Sequence, residues 1–137
     1  MCKLGDIIVV KEFKGEDDII VPKHSFVVIN DEKNFIEGFR YDFIANMLCS
    51  FHNEEHKKKK LKYEENIEIN EKRIHGKDIN NKTGYIKADQ LYYFDKDKIE
   101  YKVLARVDDE LLVELVQLIL KLNNEGKLKN IITNVNE

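Results

Sequence analysis

His24 stands directly after Lys23 and opens the run Ser25-Phe26-Val27-Val28-Ile29. An imidazole titrates near pH ~6.5, so His24 can take or give a proton around neutral pH without large tuning. Lys23 adds a permanent positive charge beside it. Taken by themselves the two are equally an ordinary surface pair at the start of a strand. Cys49-Ser50 offers a hydroxyl donor next to a thiol, which donates poorly. The plainer readings are a serine that satisfies a turn and a cysteine that acts as a small buried apolar residue. Lys57, Lys58, Lys59 and Lys60, with Lys62 behind them and Tyr63 next, could track a phosphate backbone and stack one base. Glu54, Glu55, Glu64 and Glu65 flank that run and partly cancel its field, and most charge runs are only solvated. His52 and His56 are four apart, which on a helix would put both on one face as a metal pair. No third ligand stands nearby unless Glu55 or His75 joins them, so neither a metal nor another cofactor is expected.

The elements that must hold these residues are mostly strands. Gly5-Asp6 leads into Ile7-Ile8-Val9-Val10, β-branched throughout, which reads as a buried first strand. Lys11 to Pro22 reads as an exposed loop returning to the sheet, and residues 25–30 as a second strand closed by Asn30-Asp31. Residues 39–51 are ambiguous between strand and helix, and strand is favoured over 46–50. The stretch 53–60 has no apolar residue with which to bury a face and is expected to be a surface loop or mobile segment. Further strands are predicted at 66–69, at 84–88 continuing through 91–94, and at 99–107, with a polar loop over 70–83. Tyr92 and Phe94 should share one face of their strand, with Tyr93 on the other.

Asp108 or Asp109 can cap a helix in which Leu111, Leu115, Leu118 and Leu122 recur at helical spacing. Lys121 and Gly126 suit its C-terminal end. Residues 127–137 form a polar tail, either disordered or a short edge segment. Short strands followed by one amphipathic helix predict a single mainly β domain over residues 1–126, a small SH3-like barrel with the helix packed on it.

Composition narrows the function classes. The chain has 137 residues, 42% of them hydrophobic, which is material for one modest core. With 23 basic and 26 acidic residues the formal net charge is −3, so bulk electrostatics does not draw it to nucleic acid; any such binding must be local. The cysteines, Cys2 and Cys49, form no CxxC pair and are read as reduced. No apolar run reaches the ~20 residues of a membrane span, and a cytoplasmic location is expected.

Several segments, in order, resemble the MazF/PemK family of toxins. Gly5-Asp6 with its aliphatic run is similar to that family's first strand. Lys23-His24 and the run after it resemble the second strand, where the family usually has Arg-Pro. Asn46-Met47-Leu48-Cys49-Ser50 sits where the family ends its third strand in Thr-Ser or Thr-Ala. Asn66-Ile67-Glu68-Ile69 resembles the short strand after the middle loop, and residues 84–91 resemble a later strand leading to an acidic-Gln-aliphatic step. Ala105-Arg106-Val107 and the helix complete a resemblance spanning about Gly5 to Leu122.

The resemblance implies a metal-independent endoribonuclease, usually a homodimer, that cleaves single-stranded RNA and is neutralised by an antitoxin protein. It further implies a site made by Lys23, His24, Cys49 and Ser50. RNA supplies its own nucleophile, the 2′-hydroxyl, so a base, an acid and a cation suffice. His24 would move the proton, Lys23 would face the phosphate without the planar fork of an arginine, and Ser50 would donate a hydrogen bond. The Arg-to-Lys and Thr-to-Cys departures favour a different reading, a non-catalytic barrel that binds RNA or a protein partner. A barrel unrelated to the family and used for protein interaction is a third.

Overall fold

The computed structural model describes residues 3–14, 20–30, 43–76, 84–94 and 99–132. Strand β1 (Asp6–Lys14) pairs antiparallel with β2 (Ile20–Asn30), which pairs antiparallel with β3 (Phe43–Ser50). Helix α1 (Glu54–Leu61) follows, then β4 (Asn66–Ile69), a 3-10 turn at Glu71–Arg73, β5 (Ile74–His75), β6 (Gly84–Lys87) and β7 (Gln90–Phe94). Strand β8 (Tyr101–Val107), helix α2 (Asp109–Asn124) and β9 (Lys129–Ile132) complete the described chain. The strands run β4-β6-β3-β2-β1-β8-β5, with β7 beside β3 and β9 parallel to β7. The result is mainly β, a nearly closed and barrel-shaped sheet with a C-terminal helix against it.

Gly5 shows why the chain opens as it does. At φ 83° it occupies the left-handed region that favours glycine. There its N–H donates to the Val28 carbonyl (2.7 Å) and its carbonyl accepts from the Val107 N–H (2.9 Å). One residue thus ties β1 to both neighbouring strands, and Asp6 starts the ladder in register.

The curled sheet has two apolar sides. On one, Ile7, Val27, Ile44, Ile67, Ile86 and Val107 pack with Leu111, Leu115, Ile119 and Leu122 of α2. Asp108 sets that helix by accepting from the Leu111 N–H (2.7 Å), and Gly126 at φ 70° follows its end. On the other side Phe13, Phe26, Tyr92 and Phe94 meet edge to face, Phe26 lying 5.1 Å from Phe13 and 5.0 Å from Phe94. Tyr92 and Phe94 share this side and Tyr93 lies on the other, as alternation along an extended strand requires.

Strand β3 changes partner along its length. Residues 43–45 pair with β7 and residues 48–50 with β6. Asn46 lies in the gap, fully buried, and its Nδ2 donates to the carbonyls of Lys87 and Gln90, both at 2.9 Å. These carbonyls bracket the turn between β6 and β7, so one amide fixes that corner against β3.

The segments 53–61 and 70–76 differ from the sequence-based expectation: in the predicted loop over 70–83, Ile74–His75 form β5 and pair with the edge of β8, Ile74 being buried. The charged stretch after Asn53 is a helix, not a loop. It needs no buried apolar face, because Asn53 Oδ1 accepts from the His56 N–H (2.8 Å), acidic residues occupy its first turn and lysines its last. Lys57 also pairs with Glu68 of β4 (3.2 Å). Of the two expectations for the tail, Lys129–Ile132 take the edge segment and form β9, with Ile131 buried in the aromatic layer. The extended backbone on either side of residues 15–19 belongs to β1 and β2, so the predicted loop after Lys11 shortens to a connection outside the described residues.

Candidate functional site

Strand register decides which side chains meet. Phe26 pairs with Met47, Cys49 with Tyr85, and Asn66 with Lys87. Alternate residues of a strand share a face, so His24, Phe26, Met47, Cys49, Tyr85 and Lys87 lie on one surface of β2, β3 and β6. The 6.0 Å contact between the His24 and Phe26 rings agrees with that. Lys23 and Ser50, adjacent in sequence to His24 and Cys49, are turned by the same alternation to the opposite face, and both are exposed. The four residues taken together from sequence therefore separate into two pairs, of which His24 and Cys49 share the half-buried surface.

His24 is held by its backbone surroundings. Its Nε2 is 2.7 Å from the Leu48 carbonyl, which can only accept, so Nε2 carries the hydrogen and Nδ1 keeps the lone pair of the neutral ring. Burial holds the imidazole below its ordinary pKa, the Leu48 hydrogen bond opposes this, and the charge of Lys87 lowers it further. His24 is accordingly neutral at pH 7, with a proton-accepting nitrogen and a carbonyl placed to steady the imidazolium once formed.

Cys49 is not a nucleophile in this setting. Burial pushes its thiol up, against the opposing pull of Lys87, a hydrogen bond with Tyr85 and Lys60. The Tyr85 hydroxyl is pushed up to about 12 by burial and by Cys49. Both groups stay protonated at neutral pH and can serve as hydrogen-bond donors.

Helix α1 borders this surface. Phe51 stacks on Tyr85 at 5.3 Å, His56 approaches both rings at 6.3 Å, and the Lys57 ammonium lies 5.8 Å from the Phe51 centroid. Lys57 and Lys60 are half-buried, whereas Lys58 and Lys59 are exposed. Tyr63 is 48% exposed beyond the helix end and has no aromatic contact among the described residues. The His52 N–H donates to His56 Nδ1 (3.1 Å), and the two rings lie 4.4 Å apart. Among the described residues no three His, Cys, Asp or Glu side chains converge as a metal site.

A separate cleft of about 510 Å³ lies between α2 and the β3-β7-β9 part of the sheet, lined by Ile44, Tyr93, Val116, Leu120 and Leu128 among others. Among the described residues its lining has no carboxylate, histidine, lysine or cysteine. No helix of the described residues is long and apolar enough to cross a membrane.

Comparison with known proteins leaves the geometry to speak for itself. No family model, curated protein or solved structure matches the chain. Among residues at this surface, Tyr85 and Lys87 were not singled out from sequence. The segment Gly84-Tyr85-Ile86-Lys87 showed them to be on one face of a strand, but only the pairing of β6 with β3 brings that face to His24. This pairing requires Gly84, because a Cβ there would run into the Cys49 carbonyl oxygen. Gly84→Ala is expected to destabilise the fold by about 2 kcal/mol, measured as a lower urea midpoint with an unchanged slope.

Proposed function

We propose that this chain is a metal-independent endoribonuclease of the MazF/PemK kind, cleaving single-stranded RNA at the His24 surface. The observation that carries the reading is a neutral His24 with Nε2 fixed on the Leu48 carbonyl and no hydrogen bond at Nδ1 among the described residues, on a half-buried face bordered by lysines. In the reaction, Nδ1 takes the proton of a 2′-hydroxyl and the 2′-oxygen attacks the adjacent phosphorus. The bond from phosphorus to the 5′-oxygen breaks, and that oxygen takes a proton from solvent. The products are a 2′,3′-cyclic phosphate and a 5′-hydroxyl. The protonated Cys49 thiol, held by the hydroxyl of the buried Tyr85, supplies a weak hydrogen bond to a nonbridging oxygen. Lys57 and Lys60 of α1 attract the flanking backbone, and the Phe51-His56 edge offers a stacking surface. As part of the same reading, the protein acts in the cytoplasm as a homodimer and an antitoxin protein covers the RNA groove.

Purified protein incubated with a long single-stranded RNA in excess EDTA tests this. Cleavage at a recurrent short sequence with cyclic-phosphate ends, lost in His24→Ala, is the expected result. RNA bound but left whole gives the second reading, a non-catalytic barrel. The separation of Lys23 and Ser50 from His24 and Cys49 favours that alternative, since it removes two of the four groups expected at one site. RNA neither bound nor cut overturns the ribonuclease and the RNA-binding barrel, and leaves a non-catalytic barrel that binds a protein partner.

A further inference from the structure

We propose that Lys87 is the cation that holds the scissile phosphate, in the place that sequence position alone would give to Lys23; this rests on the ribonuclease reading. The backbone carries the assignment. Lys87 pairs with Asn66 on one side of β6 and lies two residues from Tyr85, which pairs with Cys49 on the other. Its side chain therefore leaves the sheet on the face of Cys49, Met47 and His24. Lys23 leaves β2 on the opposite face.

The position of Lys87 is also fixed more firmly than that of a surface lysine. Its carbonyl accepts from the buried Asn46 amide (2.9 Å), and the Ala88 N–H that follows donates to the Glu65 carbonyl (2.8 Å). The stem thus rises from a clamped corner, and Lys87 is half-buried, whereas Lys23 is exposed.

The charge balance points the same way. Of the two half-buried lysines of α1 at the border of the site, Lys57 is paired with Glu68, and Lys60 is the one that leaves its charge free alongside Lys87. Lys87 makes no ion pair within 4 Å among the described residues, and its charge reaches His24 and Cys49 as well as the Asp89 carboxylate in the following turn. A partly desolvated ammonium beside a proton-accepting imidazole and the neutral Cys49 thiol fits a monoanionic phosphodiester, whose oxygens the ammonium and thiol would take while the imidazole faces the neighbouring hydroxyl.

The test uses Lys87→Met, Lys87→Arg and Lys23→Met in the full chain. Cleavage of a single-stranded RNA is followed in EDTA, and binding of the same RNA is measured over a salt series in a His24→Ala background. Lys87→Met is expected to lower kcat/KM by about 10²-fold or more, with Lys87→Arg recovering most of it and Lys23→Met losing clearly less. In the His24→Ala background, Lys87→Met should reduce the slope of log affinity against log salt by about 0.7. The His24 ring protons, followed by NMR without RNA, should titrate at a higher pH in Lys87→Met, because a neighbouring positive charge is gone. An active wild type in which Lys23→Met is the more damaging change, or in which Lys87→Met leaves the His24 titration unmoved, overturns the assignment alone. A wild type that neither cuts nor binds RNA overturns the ribonuclease reading and this assignment with it.

Discussion

Replacing His24 with alanine is expected to slow RNA cleavage by about 10²–10⁴-fold while leaving RNA binding within a few-fold of wild type. The size follows from what is removed, which is the neutral base of the site and not a charge. A single-turnover assay with saturating protein separates the chemical step from binding. The pH dependence sharpens the prediction. A base works only when unprotonated, so the rate rises with pH and levels off above the pKa of His24. Burial and Lys87 hold that pKa below its ordinary value of 6.5, so the acid limb of kcat/KM falls below pH 6.5 in wild type and moves upward in Lys87→Met. A limb above pH 7 in wild type would exclude His24 as the base.

The second large effect concerns stability. Asn46→Ala removes the amide that serves the carbonyls of both Lys87 and Gln90. Asn46 has no exposed surface, so water cannot easily replace it. Leaving buried acceptors unpaired is expected to cost about 3 kcal/mol, or about 10 °C in Tm, read by urea and thermal unfolding. Asn46 Oδ1 already lacks a partner, so the donor end of this side chain accounts for the effect. Loss of the corner should also depress cleavage below what the folded fraction explains, since β6 carries Tyr85 and Lys87. A loss of less than about 1 kcal/mol would show that β6 and β7 hold their corner without Asn46.

Much of this architecture was legible in the sequence because local signals were strong. The β-branched run 7–10, the Asp108 cap, the leucine spacing of α2 and the alternation of Tyr92, Tyr93 and Phe94 each depend on neighbours a few residues away. Helix α1 was not, because the absence of apolar residues argued for a loop, whereas capping by Asn53 and the order of acids before lysines supply its stability. Strand β9 was legible only as one of two alternatives for the tail, because its partner β7 lies far along the chain and pairs in parallel. The site was legible in part. His24 and Cys49 were found by position, and their separation from Lys23 and Ser50 follows from strand alternation. Lys87 could not be reached from local pattern, since a one-residue slip of β6 against β3 would have turned it to the other face.

The pairing of β1 with β8 sets an order of events during synthesis. A ribosome releases Asp6–Lys14 early and Tyr101–Val107 only after most of the chain has emerged. Until then β1 has β2 on one edge and nothing on the other, and the apolar residues that α2 will cover remain uncovered. The nascent chain carries a strand edge open to other chains for most of its elongation. Arrival of β8 and α2, and not the β1-β2 hairpin, is what covers that edge and the apolar side of the sheet.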